Sequence, residues 1–332
     1  MKIPIFCTFY ELNYVYFAKI SEKKCNFASK IMSKGNVSVR LIERLMLGII
    51  VLFVFGPMSA QTKRALVIGI SEYAKQGNNS WSSIHGANDV DLLIPVLKAQ
   101  GFKTTKVCNK SAIATKIRRE ISRLTDSSMP GDIVYLHFSC HGQPFEDMNG
   151  DEEDGWDESI VPYDAQMVYE KGKYEGANHI TDDELHLCFK KLRSKVGPSG
   201  LVCVVIDACH AGNTYMGDEE DEEESFYRGT KKGFSPHGNS FHPRINVKSN
   251  FPISKSTGQS DIIILEACRS YQSNYEIKES GKYYGPLTYY ICQVLATQKL
   301  SASTGWILDV KKKMDADGRL TRQNMVYESS IK

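Results

Sequence analysis

Short, continuously apolar runs recur along the chain from residue 65 onward, and segments with the apolar spacing of helices lie between them. The clearest runs cover residues 65–70, 132–138, 201–206 and 261–265, and a weaker one covers 103–107. Runs of this length without alternation are typical of strands that are buried on both faces of a parallel sheet. The helical pattern covers residues 88–100, 111–124, 181–192, 287–296 and 304–314.

Strands that alternate with helices predict a doubly wound α/β fold. In such folds, ligands bind beyond the carboxyl ends of the strands. His141 follows the second strong apolar run, Cys209 follows the third, and Cys268 follows the fourth. The predicted topology therefore brings residues that are distant in sequence to one edge of the sheet.

The first 60 residues have the pattern of a targeting segment. Arg40 and Arg44 precede an apolar run at 45–55, and Ala60 follows as a small residue. This order is typical of a secretory signal peptide, and the run is short for a membrane-spanning helix, which needs about 20 residues. We expect a secreted or periplasmic protein. The alternative is an uncleaved anchor, the one case in which we expect membrane association.

Charge and cysteine content narrow the classes of function. The 332-residue chain has a formal net charge of +2, but residues 61–332 contain 33 basic and 36 acidic side chains. A nearly neutral domain gives no electrostatic reason to expect nucleic-acid binding. Seven cysteines follow residue 60 without close-spaced pairs, so the sequence demands neither a disulfide framework nor a zinc site.

Two acidic stretches are predicted to be loops, at residues 147–157 and 217–260. A segment of more than forty residues without periodicity is typical of a functional or disordered region. We therefore divide the chain into an N-terminal extension (1–60), a region with the His and Cys (61–216), a linker (217–260) and a last region (261–332).

His141 and Cys209 are the candidate chemical groups. A thiol needs a base to become a useful thiolate at neutral pH, and neighbouring strand ends would bring His141 within reach of Cys209. The backbone N–H groups of Gly142 and Cys209 would hold a developing oxyanion. Each residue alone has an ordinary structural explanation, but their matching positions indicate a nucleophile and its general base.

Residues 139–142 (Ser-Cys-His-Gly) and 207–212 (Asp-Ala-Cys-His-Ala-Gly) resemble the two catalytic signatures of caspase-like cysteine peptidases, and metacaspases more than animal caspases. The resemblance covers most of residues 62–332. It implies a caspase-like, mostly parallel six-stranded sheet flanked by helices, and a cysteine endopeptidase with Cys209 as nucleophile and His141 as base. Cys140 stands where metacaspases have Gly, and we expect it to be buried.

The resemblance also implies a substrate preference. Metacaspases hold an Arg or Lys at P1, the residue before the cut bond, with acidic residues that match Asp89 and Asp207. Animal caspases have an Arg just before the motif that matches residues 86–89, where this chain has Ile84 and His85, so we expect a basic P1 residue here. The alternatives are a first-turn helix acid for Asp89 and a strand-end turn for Asp207. Ser270 and Tyr271 are further substrate-binding candidates, with edge packing as the alternative.

Calcium is the only cofactor that the resemblance suggests. Some metacaspases bind Ca²⁺ through aspartates, which match Asp157, Asp182 and Asp183, with Asp218 as a looser candidate. Clustered carboxylates suit Ca²⁺. The alternative is that Asp182 and Asp183 are acids in the first turn of a helix capped by Thr181.

The family's linker is often cut to mature the enzyme from a zymogen. Arg228 and Lys232 lie in the linker of this chain and would suit a protease that prefers basic residues. The alternative is that these charges only solubilise a loop.

Three other functions remain open at this point. A metal-dependent enzyme could use His141, Cys209 and His210, and a caspase-like fold could also serve as a silent interaction module. A clostripain-like or gingipain-like protease would share the fold and the basic preference. We expect protein or peptide substrates, no nucleic acid and a monomer.

Overall fold

The computed structural model describes residues 61–209, 226–242, 245, 248 and 250–331. The N-terminal segment 1–60, His210 and Asp218 lie outside the described residues. Within the described ranges, no helix has both the length and the apolar content needed to cross a bilayer.

A seven-stranded sheet organises the described chain. Its strands, numbered in chain order with those of the smaller sheets, are β1 (Lys63–Gly69), β2 (Phe102–Cys108), β3 (Ile133–Ser139), β7 (Leu201–Asp207), β8 (Asn250–Pro252), β9 (Asp261–Glu266) and β12 (Val326–Ser329). Their order is β2-β1-β3-β7-β9-β12-β8. The first five are parallel and β12 is antiparallel to β9. The mostly parallel fold is confirmed, with seven strands where the resemblance implied six.

Four of the five predicted strands have continuous apolar sequence, and the weaker one, β2, is an edge strand with polar residues at 103–106. All seven residues of β3 and of β7 are buried, because successive side chains alternate between two faces that are both covered. Tyr135 and Val205 pack into the core on one face, whereas Leu136 and Val204 pack into the core on the other.

Within the described residues, five α-helices cover the two faces of this sheet. They are α1 (Gly86–Ala99), α2 (Ala114–Ser127), α3 (Asp182–Val196), α4 (Pro286–Leu295) and α5 (Gly305–Asp315). Apolar residues of α1, α4 and α5 belong to one core cluster, and those of α2 and α3 belong to the other. Helix α3 begins after Thr181, whose side chain accepts a hydrogen bond from the backbone N–H of Glu184, as expected for an N-cap residue.

Two smaller sheets were not predicted from the sequence. Strands β4 (Gly142–Glu146), β5 (Trp156–Ile160) and β6 (Ile180–Thr181) form an antiparallel sheet that starts directly after His141. Strands β10 (Ile277–Glu279) and β11 (Lys282–Tyr284) form a hairpin. The linker also has structure where it is described, because β8 and two isolated bridges, at Tyr227 and Phe234, lie within it.

Candidate active site

The ends of β3 and β7 bring His141 and Cys209 to the same level of the sheet. Ser139 pairs with Asp207 in the parallel register of the two strands. His141 and Cys209 each lie two residues beyond that pair, and neighbouring strands are about 4.8 Å apart. The juxtaposition expected from the sequence thus follows from one shared register.

His141 is held as a neutral base between aromatic rings. Its ring centroid is 5.0 Å from those of Tyr73 and Trp81, and burial lowers its pKa to about 4. Nε2 lies 2.9 Å from the carbonyl oxygen of Ser82. That oxygen can only accept, so we assign the proton to Nε2. Nδ1 then carries the free lone pair, and it has no hydrogen-bond partner among the described residues.

The thiol of Cys209 is fully buried. Its Sγ donates a hydrogen bond to the carbonyl oxygen of Gln272 at 2.7 Å. Cys268 also contacts this oxygen, at 3.5 Å, and shares a hydrogen bond with Cys209. Burial and the contact with Cys209 raise the pKa of Cys268, the contact being the larger cause. Cys209 also lies next to the backbone of the linker.

The backbone N–H groups of Gly142 and Cys209 converge on one carbonyl oxygen, that of Arg228. The N–O distances are 3.2 Å from Gly142 and 2.8 Å from Cys209. These are the two donors that the sequence analysis assigned to an oxyanion. Gly229 follows so closely that a Cβ on it would lie 2.5 Å from the carbonyl oxygen of Cys209 and 3.1 Å from its Cβ. The Arg228–Gly229 peptide bond therefore lies next to Cys209, the candidate nucleophile.

The side chain of Arg228 is fully buried among three carboxylates. Its Nη1 is 2.6 Å from Oδ2 of Asp89 and 3.3 Å from Oδ1 of Asp207, and its Nε donates to Oε1 of Glu276 at 3.0 Å. Burial alone would lower the pKa of Arg228, but the three carboxylates raise it well above its usual range. A fixed fork of donors matched by carboxylates is the geometry that favours Arg.

Other hydrogen bonds fix the two sequence-predicted carboxylates in place. Asp207 accepts from the side chain of Asn274 at 2.8 Å and from the hydroxyl of Thr288 at 2.6 Å. Asp89 accepts from the hydroxyl of Ser139 and from the backbone N–H of Gly285. Burial raises the pKa of Asp89 to about 7, although Arg228 acts in the opposite direction. Both acids thus contact the same buried guanidinium, while Asp89 also lies in the first turn of α1 and Asp207 at the end of β7.

The linker segment 226–228 lies antiparallel to residues 274–276. The backbone N–H of Arg228 donates to the carbonyl of Asn274 at 3.0 Å, and that of Glu276 donates to the carbonyl of Phe226 at 2.8 Å. Tyr227 and Tyr275 form the bridge between them. This is the main-chain pattern by which an extended peptide adds to an exposed edge.

Some sequence-predicted residues lie elsewhere. The main chain of segment 226–228 pairs with residues 274–276, whereas the hydroxyl of Tyr271 accepts a hydrogen bond from Arg269. A substrate role of Ser270 and Tyr271 stays a prediction. Lys232 is exposed, and its carbonyl accepts from Gln143 at 2.8 Å. Cys140 is buried as expected.

The sequence analysis missed several residues of this site, namely Tyr73, Trp81, Ser82, Asn274, Glu276 and Thr288. Asn274 and Glu276 lie in a polar stretch after β9, where no pattern distinguishes them from loop residues. Ser82 acts through its backbone carbonyl, so its side chain gave no sequence signal.

A separate acidic cluster contains one of the predicted calcium ligands. Carboxylate oxygens of Asp147, Asp151 and Asp157 lie within 4.8 Å of one another. The structure thus groups Asp157 with Asp147 and Asp151, which the sequence analysis did not name as calcium ligands. Asp182 and Asp183 line an adjoining cavity of about 380 Å³ together with Asp151. Burial and neighbouring acids raise the pKa of Asp157 to about 7. Asp147 also accepts backbone hydrogen bonds from Asn149, Gly150 and Glu152. Part of the capacity of its carboxylate oxygens to bind a metal ion is therefore already used.

Comparison with known proteins agrees with the resemblance to caspase-like peptidases found in the sequence. The family model described as "Caspase domain" matches residues 62–330. Metacaspase-1B of Aspergillus fumigatus is 36% identical over 161 residues, which are 45% of this chain and 35% of the relative. Metacaspase-1 of Mycosarcoma maydis is 26% identical over 275 residues, 71% of this chain and 63% of the relative. The chain thus spans less than two thirds of the length of these relatives.

A solved structure from Geobacter sulfurreducens matches 81% of this chain and 93% of its own, with a TM-score of 0.55 and 17% identity, and supports the fold alone. The family match extends over nearly all the described residues and includes both signatures and the pocket between them. The chain therefore belongs to the caspase-domain family of cysteine peptidases and is similar to its metacaspase members.

Proposed function

We propose that this protein is a cysteine endopeptidase that cuts after Arg or Lys and processes itself at the Arg228–Gly229 bond. The observation that carries the proposal is the position of Arg228. Its guanidinium pairs with Asp89, Asp207 and Glu276, while its carbonyl accepts from both candidate oxyanion donors. One residue thus satisfies a P1 pocket and an oxyanion site at once.

The residues around this bond suit acyl transfer. Nδ1 of His141 would take the proton of the Cys209 thiol after Sγ turns from the carbonyl of Gln272. The thiolate would attack the carbonyl carbon of Arg228, and the N–H groups of Gly142 and Cys209 would hold the oxyanion. His141 would protonate the amine of Gly229 as it leaves, and water would then hydrolyse the acyl-enzyme. The Ser82 carbonyl would keep the ring oriented throughout, as the third member that the sequence did not reveal.

One feature argues against the silent-module alternative. A module without catalysis needs neither a paired His and Cys nor two N–H donors aimed at one carbonyl oxygen. A clostripain-like or gingipain-like specificity for Arg would use the same pocket and is compatible with the proposal.

Self-processing can be tested on the purified full chain by gel electrophoresis and intact mass. We expect fragments that end at Arg228 and begin at Gly229. Cys209→Ala and His141→Ala should each slow this cut by a factor of about a thousand or more, because loss of a nucleophile or its base removes the covalent route. Cys188→Ala is the matched thiol control, since Cys188 lies on α3, and it should be processed normally.

The position of the cut shows which of the two candidate bonds is processed, the one after Arg228 or the one after Lys232. Arg228→Gln should stop processing, whereas Lys232→Gln should leave it intact, because the Lys232 side chain is exposed. Fluorogenic peptides with Arg, Lys or Asp at P1 extend the test to other substrates, and we expect cleavage after Arg and Lys only. A cut after Lys232 would contradict the proposed processing bond, and turnover of the Asp peptide would contradict the proposed specificity.

We also propose that a calcium ion binds at the aspartate cluster. Three carboxylates within 4.8 Å of one another form a set of hard oxygen ligands that fits Ca²⁺. Asp147, Asp151 and Asp157 would hold the ion. Asp182 and Asp183 line the adjoining cavity and could bind through water. The ion would neutralise a cluster of like charges and stabilise the loop between β4 and β5.

Thermal unfolding tests calcium binding without relying on activity. At saturating Ca²⁺ we expect the melting temperature to rise by about 5 °C over that in chelator, since a ligand at a hundredfold excess over its Kd adds about 2.7 kcal/mol. Asp157→Asn should lose this rise, while Asp126→Asn, an exposed acid on α2, should retain it. An equal rise in both variants would refute the site.

Secretion remains a proposal from the sequence of residues 1–60. It is supported by the basic flank and short apolar run described above. Mass spectrometry of the mature protein should find an N-terminus close to Gln61 in the extracellular or periplasmic fraction. Recovery of the intact N-terminal segment in membranes would instead indicate the anchor.

A further inference from the structure

We propose that the site selects substrates with an aromatic residue at P3, two positions before the P1 Arg, through a subsite formed by His85 and Tyr283. The inference rests on the proposed peptidase function and names its substrate class more closely. The chain's own segment Phe226-Tyr227-Arg228 occupies P3 to P1 of that site.

Phe226 packs against two stacked rings at the side of the pocket. Its ring meets that of His85 edge to face, with centroids 4.6 Å apart at 88°, and that of Tyr283 at 4.9 Å and 67°. His85 and Tyr283 stack on each other at 5.0 Å and 25°. Edge-to-face contacts at these distances are favourable beyond the burial of area, so an aromatic P3 side chain gains more than an aliphatic one.

The two walls of this subsite are fixed by parts of the fold that do not depend on Phe226. His85 directly precedes α1, and its backbone N–H and Nδ1 both bond to the carboxylate of Glu276. Tyr283 lies on β11, paired with Lys278 of β10, whose ammonium group is 5.1 Å from the tyrosine ring centroid. The backbone carbonyl of Tyr283 also accepts from the side chain of Asn88 at 3.0 Å.

Glu276 connects the P3 subsite to the P1 pocket. Its carboxylate accepts from Nε of Arg228 at 3.0 Å and holds the ring of His85. Its backbone N–H bonds the carbonyl of Phe226. One residue thus contacts the P1 side chain, the P3 backbone and a wall of the P3 subsite, so occupation of P1 and P3 should be coupled.

The intervening P2 position is different. Side chains of an extended peptide alternate in direction, so P1 and P3 face the protein while P2 faces outward. Tyr227 is accordingly 40% exposed, and its ring centroid is 6.3 Å from that of Tyr275. We therefore expect weak selection at P2, and the favoured substrate pattern is aromatic, any residue, then Arg.

Peptides measured on the self-processed full chain test this pattern. Three fluorogenic peptides carry Phe-Tyr-Arg, Ala-Tyr-Arg and Phe-Ala-Arg before the reporter. We expect kcat/KM to fall about tenfold when Phe at P3 becomes Ala, consistent with the loss of a ring packed on two others. The change of Tyr to Ala at P2 should lower it less than threefold.

Variants of the subsite separate direct contact from a general loss of structure. Tyr283→Ala should reduce the Phe-over-Ala preference to less than about threefold, and Tyr283→Phe should restore it, because the ring rather than the hydroxyl makes the contact. In the full chain, Phe226→Ala should slow self-processing, and adding Tyr283→Ala to it should cost little more.

The outcomes distinguish the two proposals. Equal cleavage of the Phe and Ala peptides at P3, with both cut after Arg, would overturn the aromatic subsite and leave the peptidase proposal standing. Failure of every Arg peptide to be cut would overturn the peptidase proposal and the subsite with it. A Phe preference that persists in Tyr283→Ala would show that other residues select P3, and would also overturn the subsite.

Discussion

At the scale of single residues, Gly285 determines how much room the proposed P1 pocket has. A Cβ on Gly285 would lie 2.3 Å from Oδ2 of Asp207 and 2.4 Å from Nη1 of Arg228. Its φ of −65° and ψ of 131° are ordinary for any residue, so Ala is excluded there by space alone. The space in this pocket therefore depends on the absence of a Cβ at Gly285.

We expect Gly285→Ala to lower kcat/KM for Arg peptides at least about a hundredfold, because the methyl group would displace the guanidinium from the acids that bind it. Peptide kinetics on the purified variant give the measurement. Gly305→Ala is the control, since a Cβ there would meet no atom within 4 Å and Ala favours the helix. Unchanged Arg cleavage in Gly285→Ala would mean that Arg binds elsewhere.

Arg228 also contributes to stability before any cut. We expect Arg228→Gln, in a Cys209→Ala background, to lower the free energy of unfolding by about 3 kcal/mol, because it leaves the buried acids Asp89, Asp207 and Glu276 without their cation. Urea unfolding at neutral pH gives this value. Lys231→Gln, at an exposed position of the same segment, should change it by less than about 0.5 kcal/mol. Equal stability of the two variants would contradict the described ion pairs.

The sequence identified those site residues whose chemical type is unusual for their position. His141 and Cys209 follow apolar strands, and Asp89 and Asp207 match a family motif. Glu276 could not be found in this way, because its role comes from the turn that leads into the β10–β11 hairpin and from a partner, Arg228, 48 residues away. Side-chain type is local information, whereas ion pairing depends on the fold.

At the scale of elements, a strand was easiest to predict from the sequence when both of its faces are buried. Four of the parallel strands were found because a strand covered on both faces has continuous apolar sequence, whereas the edge strand β2 has polar residues at 103–106 and gave a weaker signal. Strand β4 (Gly-Gln-Pro-Phe-Glu) and strand β5 (Trp-Asp-Glu-Ser-Ile) were missed because polar residues interrupt both. The backbone of Phe234 pairs with β4, donating to Pro144 and accepting from Glu146. Part of what covers this small sheet is thus the linker, whose own sequence has no strand pattern.

The linker after the proposed cut is anchored by Phe234. This side chain is fully buried, stacked on Phe145 at 5.0 Å and 4.7 Å from the ring of His179. We expect Phe234→Ala, in the uncut Cys209→Ala background, to lower the free energy of unfolding by about 3 kcal/mol. Urea unfolding measures it, with His242→Ala, an exposed ring in the same segment, as the control. A loss of less than about 1 kcal/mol would mean that this segment is not part of the folded core.

At the scale of the whole molecule, the proposed cut divides the polypeptide but not the sheet. Residues up to Arg228 supply β1, β2, β3 and β7, and residues from Gly229 supply β8, β9 and β12. The two parts meet at the parallel pair of β7 and β9, which runs from Leu201–Asp261 to Ile206–Glu266. Helices α4 and α5 of the second part also share a core cluster with α1 of the first.

Neither part can cover its own apolar surface after the cut. Val205 on β7 and Leu265 on β9 are fully buried at their shared boundary, and separation would expose this row together with unpaired backbone groups at two new sheet edges. We therefore expect the processed protein to elute from gel filtration at the volume of the uncut Cys209→Ala protein, while denaturing electrophoresis shows two fragments. Separation of the fragments in native buffer would mean that the β7–β9 pairing does not hold the cut protein together.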